Sequence, residues 1–270
     1  MNIERERTQM EKNKSLLEPG SHYNAIGFGY ARTRHEDPSL YKRILACLGD
    51  TRTVVNIGAG TGSYEPRDRK VLAIEPSEVM IRQRSDDSAP VIRATAENLP
   101  LYDKSFDAAM TVISMHHWHP NQFKGVQEMR RVSRKKVVIV TFDPSVCQRM
   151  WLLSDYLTEV ADLDNRIFPL PQKICDWLNC ETKVETIPIS KDTPDWTLMS
   201  FWAHPERVLD PAARAATSGF ARQPKDVVER VVADVSRDLE SGRWDEKHGH
   251  LRKMDEFDAG LRIITANLPK

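Results

Sequence analysis

The amino-acid sequence predicts an α/β fold built on a parallel sheet with helices on both faces. Three observations predict it. Apolar, β-branched runs of strand length recur between residues 53 and 142. Segments of helical composition separate these runs, and three alternating glycines follow the first one directly. Strands that are apolar throughout must be buried on both sides, which in an alternating β/α chain means a parallel sheet covered by its own crossover helices. Right-handed crossovers bring the strand C-terminal ends to one edge, and ligands bind outside that edge where the strand order reverses.

The elements follow in order. Residues 1–20 carry dense charge and few large apolar groups, the composition of a frayed helix or a disordered arm. Residues 21–36 mix aromatics, glycine and arginine, which suits a mobile segment that orders over a ligand. A helix is expected over 38–49, where Leu40, Ile44, Leu45 and Leu48 recur at helical spacing between Pro38 and Gly49. Strands are expected at Thr53–Ile57, Lys70–Ile74, Ala89–Ile92, Phe106–Ser114 and Lys136–Phe142, with helices at Pro76–Arg84 and Asn121–Val132 between them. Beyond Asp143 the texture changes. Residues 145–180 are helical and aromatic-bearing, Lys183–Ile189 suits a strand, 205–255 are charged and helical, and Gly260–Ala266 suits a final strand. The expected organisation is a charged arm (1–20), an N-terminal lid and helix (21–50), a cofactor-binding core (51–143), and late sheet strands with a helical substrate lobe (144–270).

Bulk composition excludes several classes. Lys plus Arg and Asp plus Glu both total 39, so the net charge is zero, which argues against a nucleic-acid partner. No apolar run approaches the roughly 20 residues of a membrane span. The N-terminus has no apolar stretch of signal-peptide type. Cys47, Cys147, Cys175 and Cys180 lack CxxC spacing and read as reduced thiols, so a cytoplasmic location is expected.

The chemistry concentrates at Val54-Val55-Asn56-Ile57-Gly58-Ala59-Gly60-Thr61-Gly62. Glycine is required where a backbone turns sharply or where a ligand lies on bare main chain. The spacing is GxGxG; the dinucleotide fingerprint GxGxxG would need glycine where Ser63 stands. A tight strand–helix turn and a ligand cradle both remain open on this evidence. Glu75 ends the next strand, 19 positions after Asn56. An acid there accepts bonds from both ribose hydroxyls, or else caps the following helix. Together the two features point to a nucleoside-containing cofactor without separating NAD from S-adenosyl-L-methionine (SAM).

Further residues separate them. Ala94-Thr95-Ala96-Glu97-Asn98-Leu99-Pro100 follows the third strand, Ser105-Phe106-Asp107 opens the fourth, and Ser114-Met115-His116-His117-Trp118 closes it. In this order the chain resembles the class I SAM-dependent methyltransferases, of the small-molecule type similar to the quinone-biosynthesis group. His204-Pro205-Glu206, Asp210-Pro211 with Arg214, Asp238 to Trp244 and Asp258 to Arg262 resemble the late region of one subset. The resemblance implies a Rossmann-like seven-stranded sheet with its last strand antiparallel, and a helical insertion. It implies that the backbone of Gly58, Ala59, Gly60 and Gly62 meets the methionine and ribose of SAM. Glu75, followed by Pro76, would hold the ribose. Met80 would flank the adenine, Ala96 and Glu97 would meet its edge, and the Ser114 carbonyl would take the methionine ammonium. Tyr23, Tyr30 and Arg34 match the family's N-terminal lid, with Arg34 or Arg32 pairing the SAM carboxylate. Two positions depart from the pattern. Asn56 and Thr95 stand where acids are usual, and Asn56 can orient the loop through hydrogen bonds but supplies no charge.

The implied activity is methyl transfer by in-line displacement to a small-molecule acceptor, apolar or aromatic. The protein then mainly aligns donor and acceptor and excludes water. His116 and His117, on the working edge, are candidates for a general base or a substrate ligand; stacking, helix capping or cofactor contact are the plainer readings. Adjacent histidines on a strand end point to opposite faces, so no metal site is expected at His116, His117 and His119. His248 and His250 are expected in solvent, as are Arg207, Arg214, Arg222 and Lys225, with Arg214 the candidate for an acidic acceptor. Trp151, Tyr156, Phe168, Trp177, Trp196, Phe201 and Trp202 supply either an acceptor pocket or lobe core, a mixture being expected. The Asn/Asp-Pro-Pro-aromatic tetrapeptide of base-methylating enzymes is absent. An NAD-dependent oxidoreductase would need GxGxxG and a Tyr/Lys or His/Arg set, and neither is found. A SAM-binding protein with a regulatory or non-methylating role stays open through Asn56 and Thr95.

Overall fold

The computed structural model describes residues 34–269. The expectations for the charged arm, Tyr23, Tyr30 and Arg32 fall outside the described residues.

The described residues hold nine strands: β1 (Thr53–Ile57), β2 (Lys70–Ile74), β3 (Val91–Ile92), β4 (Phe106–Val112), β5 (Ser133–Phe142), β6 (Glu181–Thr186), β7 (Ile189–Ser190), β8 (Glu256–Phe257) and β9 (Leu261–Asn267). Seven form one sheet in the order β3-β2-β1-β4-β5-β9-β6, while β7 and β8 pair separately. Neighbours from β3 to β5 run parallel, and β9 runs antiparallel to both β5 and β6. This is the seven-stranded Rossmann-like sheet with an antiparallel last strand. The order reverses between β1 and β4, so a crevice opens beyond their C-terminal ends.

Strand alternation divides the interior. Along β5, Val138 and Val140 face one side, together with Val54, Met110 and the helix α1 (Pro38–Leu48) through Leu40, Ile44 and Leu48. Val137 and Ile139 face the other side, against Val126 and Met129 of α2 (Gln122–Val132). The first cluster runs on without a break into Trp151, Phe201, Trp202 and Trp244. The late lobe therefore shares its core with the sheet. Helix α1 starts where its sequence dictates: Asp37 accepts from the amides of Ser39 and Leu40, and Pro38 takes the first turn.

Several boundaries moved. The fourth strand ends at Val112, two residues early, because Ile113 turns to φ 49° and Met115–Trp118 winds into a 3-10 turn. The helix expected over Pro76–Arg84 is a single turn, Glu78–Ile81, capped by Ser77. The expected strand Lys183–Ile189 splits into β6 and β7 around Pro188, which has no N–H for a ladder.

Candidate active site

The glycine turn lies at the crevice. Gly58 has φ 70°, and a Cβ there would stand 1.9 Å from Ser114 Oγ, so no other residue fits without displacing the end of β4. At Gly60, φ is 55° and an added Cβ would press Met80 Cε at 3.3 Å. The Gly60 amide donates to Glu75 Oε2 at 2.8 Å, and the Ser77 amide donates to Oε1 at 2.8 Å. One buried carboxylate thus ties the turn to the start of the next helical turn. Burial pushes the Glu75 carboxyl above its usual range, against the pull of these amides and of Arg84. Each of its oxygens keeps a second lone pair for a hydroxyl.

Beneath the turn, Asn56 is buried, its Nδ2 lies 3.5 Å from Glu65 Oε1, and its Oδ1 has no partner. The acid next to Asn56 is Glu65, and its charge is paired. Arg84 holds both Glu65 oxygens, at 2.7 and 2.9 Å, and also donates to the Gly60 carbonyl at 3.2 Å. The signal for this buried pair is local: the acid stands three places after Gly62 and the arginine closes the expected Pro76–Arg84 helix. Met80 is buried beside the turn and Ala96 is buried against Gly125, while Pro76 and Glu97 are half-buried. Trp118 is a further neighbour of the turn: its Nε1 would lie 3.6 Å from a Cβ on Gly58, and its ring lies against Gly125. The Ser114 carbonyl accepts from the His117 amide at 2.9 Å.

Arg34 is placed on Asp195, a residue 161 positions away, through Nε to Oδ1 and Nη2 to Oδ2 at 3.4 Å. The Tyr64 hydroxyl donates to the same carboxylate at 2.9 Å and accepts from the Asp37 amide at 2.9 Å. Burial, then the charge of Asp195, holds the Tyr64 phenol protonated by raising its pKa. Asp195 and Tyr64 carried no signal in the sequence; long-range pairing alone brings them to Arg34.

The two histidines do not point to opposite faces. The 3-10 turn sets their rings 3.8 Å apart, because the strand ends before reaching them. His116 is buried and stacks on Phe168 at 4.3 Å, and its Nδ1 has no partner. Burial, then Arg222 and Arg34, push its pKa well down, so the ring is neutral. His117 Nδ1 accepts from Arg222 Nη2 at 2.8 Å, which places the ring proton on Nε2. Arg222 is therefore no solvated residue. Arg207 lies 4.4 Å over the Trp196 ring and donates to the Ser200 carbonyl, and Arg214 donates to the Val208 carbonyl. Each is half-buried and spends its guanidinium on its own fold. His248 is also drawn in, bonded to Asp155 at 2.8 Å against Trp151 and Trp244, whereas His250 is exposed.

A cavity of about 490 Å³ opens beside His116, with Ile113, Phe168, Leu198, Met199 and Asp164 among its walls. Ile113 and His116, which follow the end of β4, set this cavity at the sheet edge that carries the glycine turn. Of the seven aromatic candidates, Phe168 lines it. Trp151, Phe201 and Trp202 are lobe core, with Trp151 Nε1 donating to the Trp202 carbonyl at 2.9 Å. Trp177 lies across the sheet, edge-on to Phe123. A second cavity of about 570 Å³, walled by Tyr64, Asp195, Arg43 and Glu256, shares Ile113, Phe142 and Thr197 with the first.

Comparison with known proteins bears on this geometry. Residues 55–141 match a family profile described as a methyltransferase domain. The crystal structure of a putative methyltransferase from an antibiotic biosynthesis pathway of Anabaena variabilis ATCC 29413 is 31% identical, covering 87% of this chain and 99% of that one at a TM-score of 0.81. Phosphoethanolamine N-methyltransferase 2 of Haemonchus contortus, solved with phosphomonomethylethanolamine and S-adenosylhomocysteine, is 12% identical over 94% of this chain and 61% of that one, at a TM-score of 0.58. The [4+2]-cyclase SpnF is 16% identical over 93% and 95% of the two chains, at a TM-score of 0.54. The last two share the fold alone. No curated protein sequence matches the chain.

Proposed function

The chain belongs to the class I SAM-dependent methyltransferases, and from that premise we propose that it methylates a small, largely apolar acceptor held in the cavity beside His116. The residues present fit the cofactor. Left-handed glycine backbone at Gly58 and Gly60, a buried carboxylate with free lone pairs at Glu75, and the apolar surfaces of Met80 and Ala96 make a cradle for an adenosyl group. Gly58, Ala59, Gly60, Gly62 and Ser114 would hold the methionine end, Glu75 with Pro76 the ribose, and Met80, Ala96 and Glu97 the adenine. When bound, SAM supplies a methyl group already activated on a sulfonium. The protein's part is alignment and exclusion of water.

The observation that carries this reading is the continuity of cradle and cavity. Ser114 packs on Gly58, and Ile113 just before it and His116 two places after it line the cavity. Within it, His116 is a neutral ring that offers Nδ1 to the acceptor, and His117 is oriented by Arg222. Because the charged form of His116 is so disfavoured, its role is to position the acceptor rather than to store a proton. Among the described residues no helix is long and apolar enough to cross a membrane; with reduced, unpaired cysteines, the setting proposed is the cytoplasm.

Calorimetric titration with SAM and with S-adenosylhomocysteine tests the proposal. Binding of both, with label passing from methyl-labelled SAM to a small molecule, is the expected result. Binding without any transfer would assign the protein to a non-methylating role, and the absence of binding would end the reading.

A further inference from the structure

The helix α3 (Thr158–Ile167) packs against the His116–His117 turn and presents one carboxyl to the acceptor cavity. That carboxyl is Asp164. Its backbone carbonyl caps the helix end by accepting from the Phe168 amide at 2.8 Å, and its side chain has no hydrogen-bond partner among the described residues. The titratable and charged groups around it are Arg222, Cys147 from the neighbouring helical turn, and His116 and Arg34 across the cavity. Burial outweighs the attraction of Arg222 and pushes Asp164 up to about 7. A desolvated carboxyl with no such partner costs stability, and a ligand in the cavity can complete it.

The surroundings specify that ligand. Phe168 and His116 form a stacked wall, and Leu198 and Met199 make apolar ones, so the body is apolar. Arg222 holds a positive charge close to both Asp164 and His116. It opposes an ammonium and favours negative charge developing on an oxygen. His116 resists protonation, which leaves Asp164 to receive a proton.

We propose that Asp164 accepts the acceptor's proton during methyl transfer, and that the acceptor is a hydroxyl compound of phenol or enol type on an apolar body. This rests on the methyl-transfer reading given above. The hydroxyl proton passes to Asp164 as the acceptor oxygen uses an electron pair to form its bond to the methyl carbon. The carbon–sulfur bond breaks with its pair retained by sulfur, so a sulfonium and a carboxylate become a neutral thioether and a carboxylic acid. A carboxyl that titrates near neutrality suits this work, since it is ionised beforehand and a competent base.

The test uses the full chain saturated with S-adenosylhomocysteine and three probes: 4-ethylphenol, its methyl ether and 2-phenylethylamine. At about pH 8 the phenol binds at least about tenfold tighter than the ether or the amine, as a hydrogen bond to a charged acceptor requires. Asp164→Leu removes that preference and leaves the ether's affinity unchanged. Asp164→Asn keeps an oxygen acceptor but no base. It therefore retains phenol binding, while methylation of 4-ethylphenol from SAM falls by about a hundredfold or more. The wild-type rate rises through pH about 7, and the rise is absent in Asp164→Asn. Equal binding of phenol and ether by the wild type, survival of the preference in Asp164→Leu, or wild-type methylation by Asp164→Asn each overturns the proposal. The same titrations report S-adenosylhomocysteine affinity. Failure of the wild type to bind that product counts against the methyltransferase reading, whereas normal product affinity with an unmoved phenol preference counts against Asp164 alone.

Discussion

The two sides of the crevice treat their polar groups differently. On the cofactor side, Glu75 accepts from two amides, and Glu65 accepts from both Arg84 and the Ala89 amide. On the proposed acceptor side, the Asp164 carboxyl and His116 Nδ1 have no hydrogen-bond partner among the described residues. The cofactor side is thus a rigid seat whose internal bonds fix the backbone before any ligand arrives. The acceptor side stores unmet bonding capacity that a ligand completes. The contrast fits a nucleoside cofactor of fixed shape on one side and an exchangeable acceptor on the other.

Substitutions on each side sharpen or break the contrast. The largest stability effect is expected at Glu65→Gln. The Arg84 and Glu65 side chains are 5% and 8% exposed, and breaking one partner of such a pair strands a buried charge. A loss of about 3–5 kcal/mol in urea unfolding follows. A loss below about 1 kcal/mol would mean the seat is not held from beneath. Gly60→Val forces a β-branched residue to φ 55° against Met80, and SAM affinity by calorimetry should fall by about a hundredfold or more. Normal affinity would remove the glycine turn from the cofactor site.

Asp164→Asn should move the other way and stabilise the ligand-free protein. Its folded-state pKa, about 7, lies above the ordinary aspartate value of 3.8. The ionised carboxyl therefore destabilises the fold fully above pH 7, and the penalty fades as pH falls from about 7 towards 4. A gain of about 1–3 kcal/mol at pH 8, shrinking to nothing near pH 4, is expected in thermal unfolding. A loss of stability at pH 8 would show that the carboxyl is partnered. The smallest effect belongs to Lys247→Ala, away from the crevice. Its bond to Asp155 is 2.7 Å long but the lysine side chain is 63% exposed, so the change should stay below about 1 kcal/mol.

What could be read in advance followed the same divide. The glycine turn, Glu75 and the strands beside them are local features: an apolar run, then residues that only a sharp turn or a close approach requires. The pairings that shape the acceptor side are not local. Arg34 meets Asp195, and His117 meets Arg222 105 positions later. Arg222 reads as a surface charge until α3 and the His116–His117 turn are folded beside it. Phe168 and Trp151 are equivalent as aromatics in sequence, yet one walls a cavity and the other fills the lobe core. The opposite orientation expected for the histidines failed for a small reason, the turn of the chain at Ile113 before it reached them.

By itself the sequence determined the sheet and the glycine turn at its edge, because burial period and glycine spacing act over a few neighbouring residues. Tertiary structure alone decided which carboxyl faces the cavity, which arginine reaches the His116–His117 turn and which aromatic lines the cavity wall. Those outcomes depend on desolvation and charge contributed by segments far apart in the chain, and no residue carries that information until the segments pack.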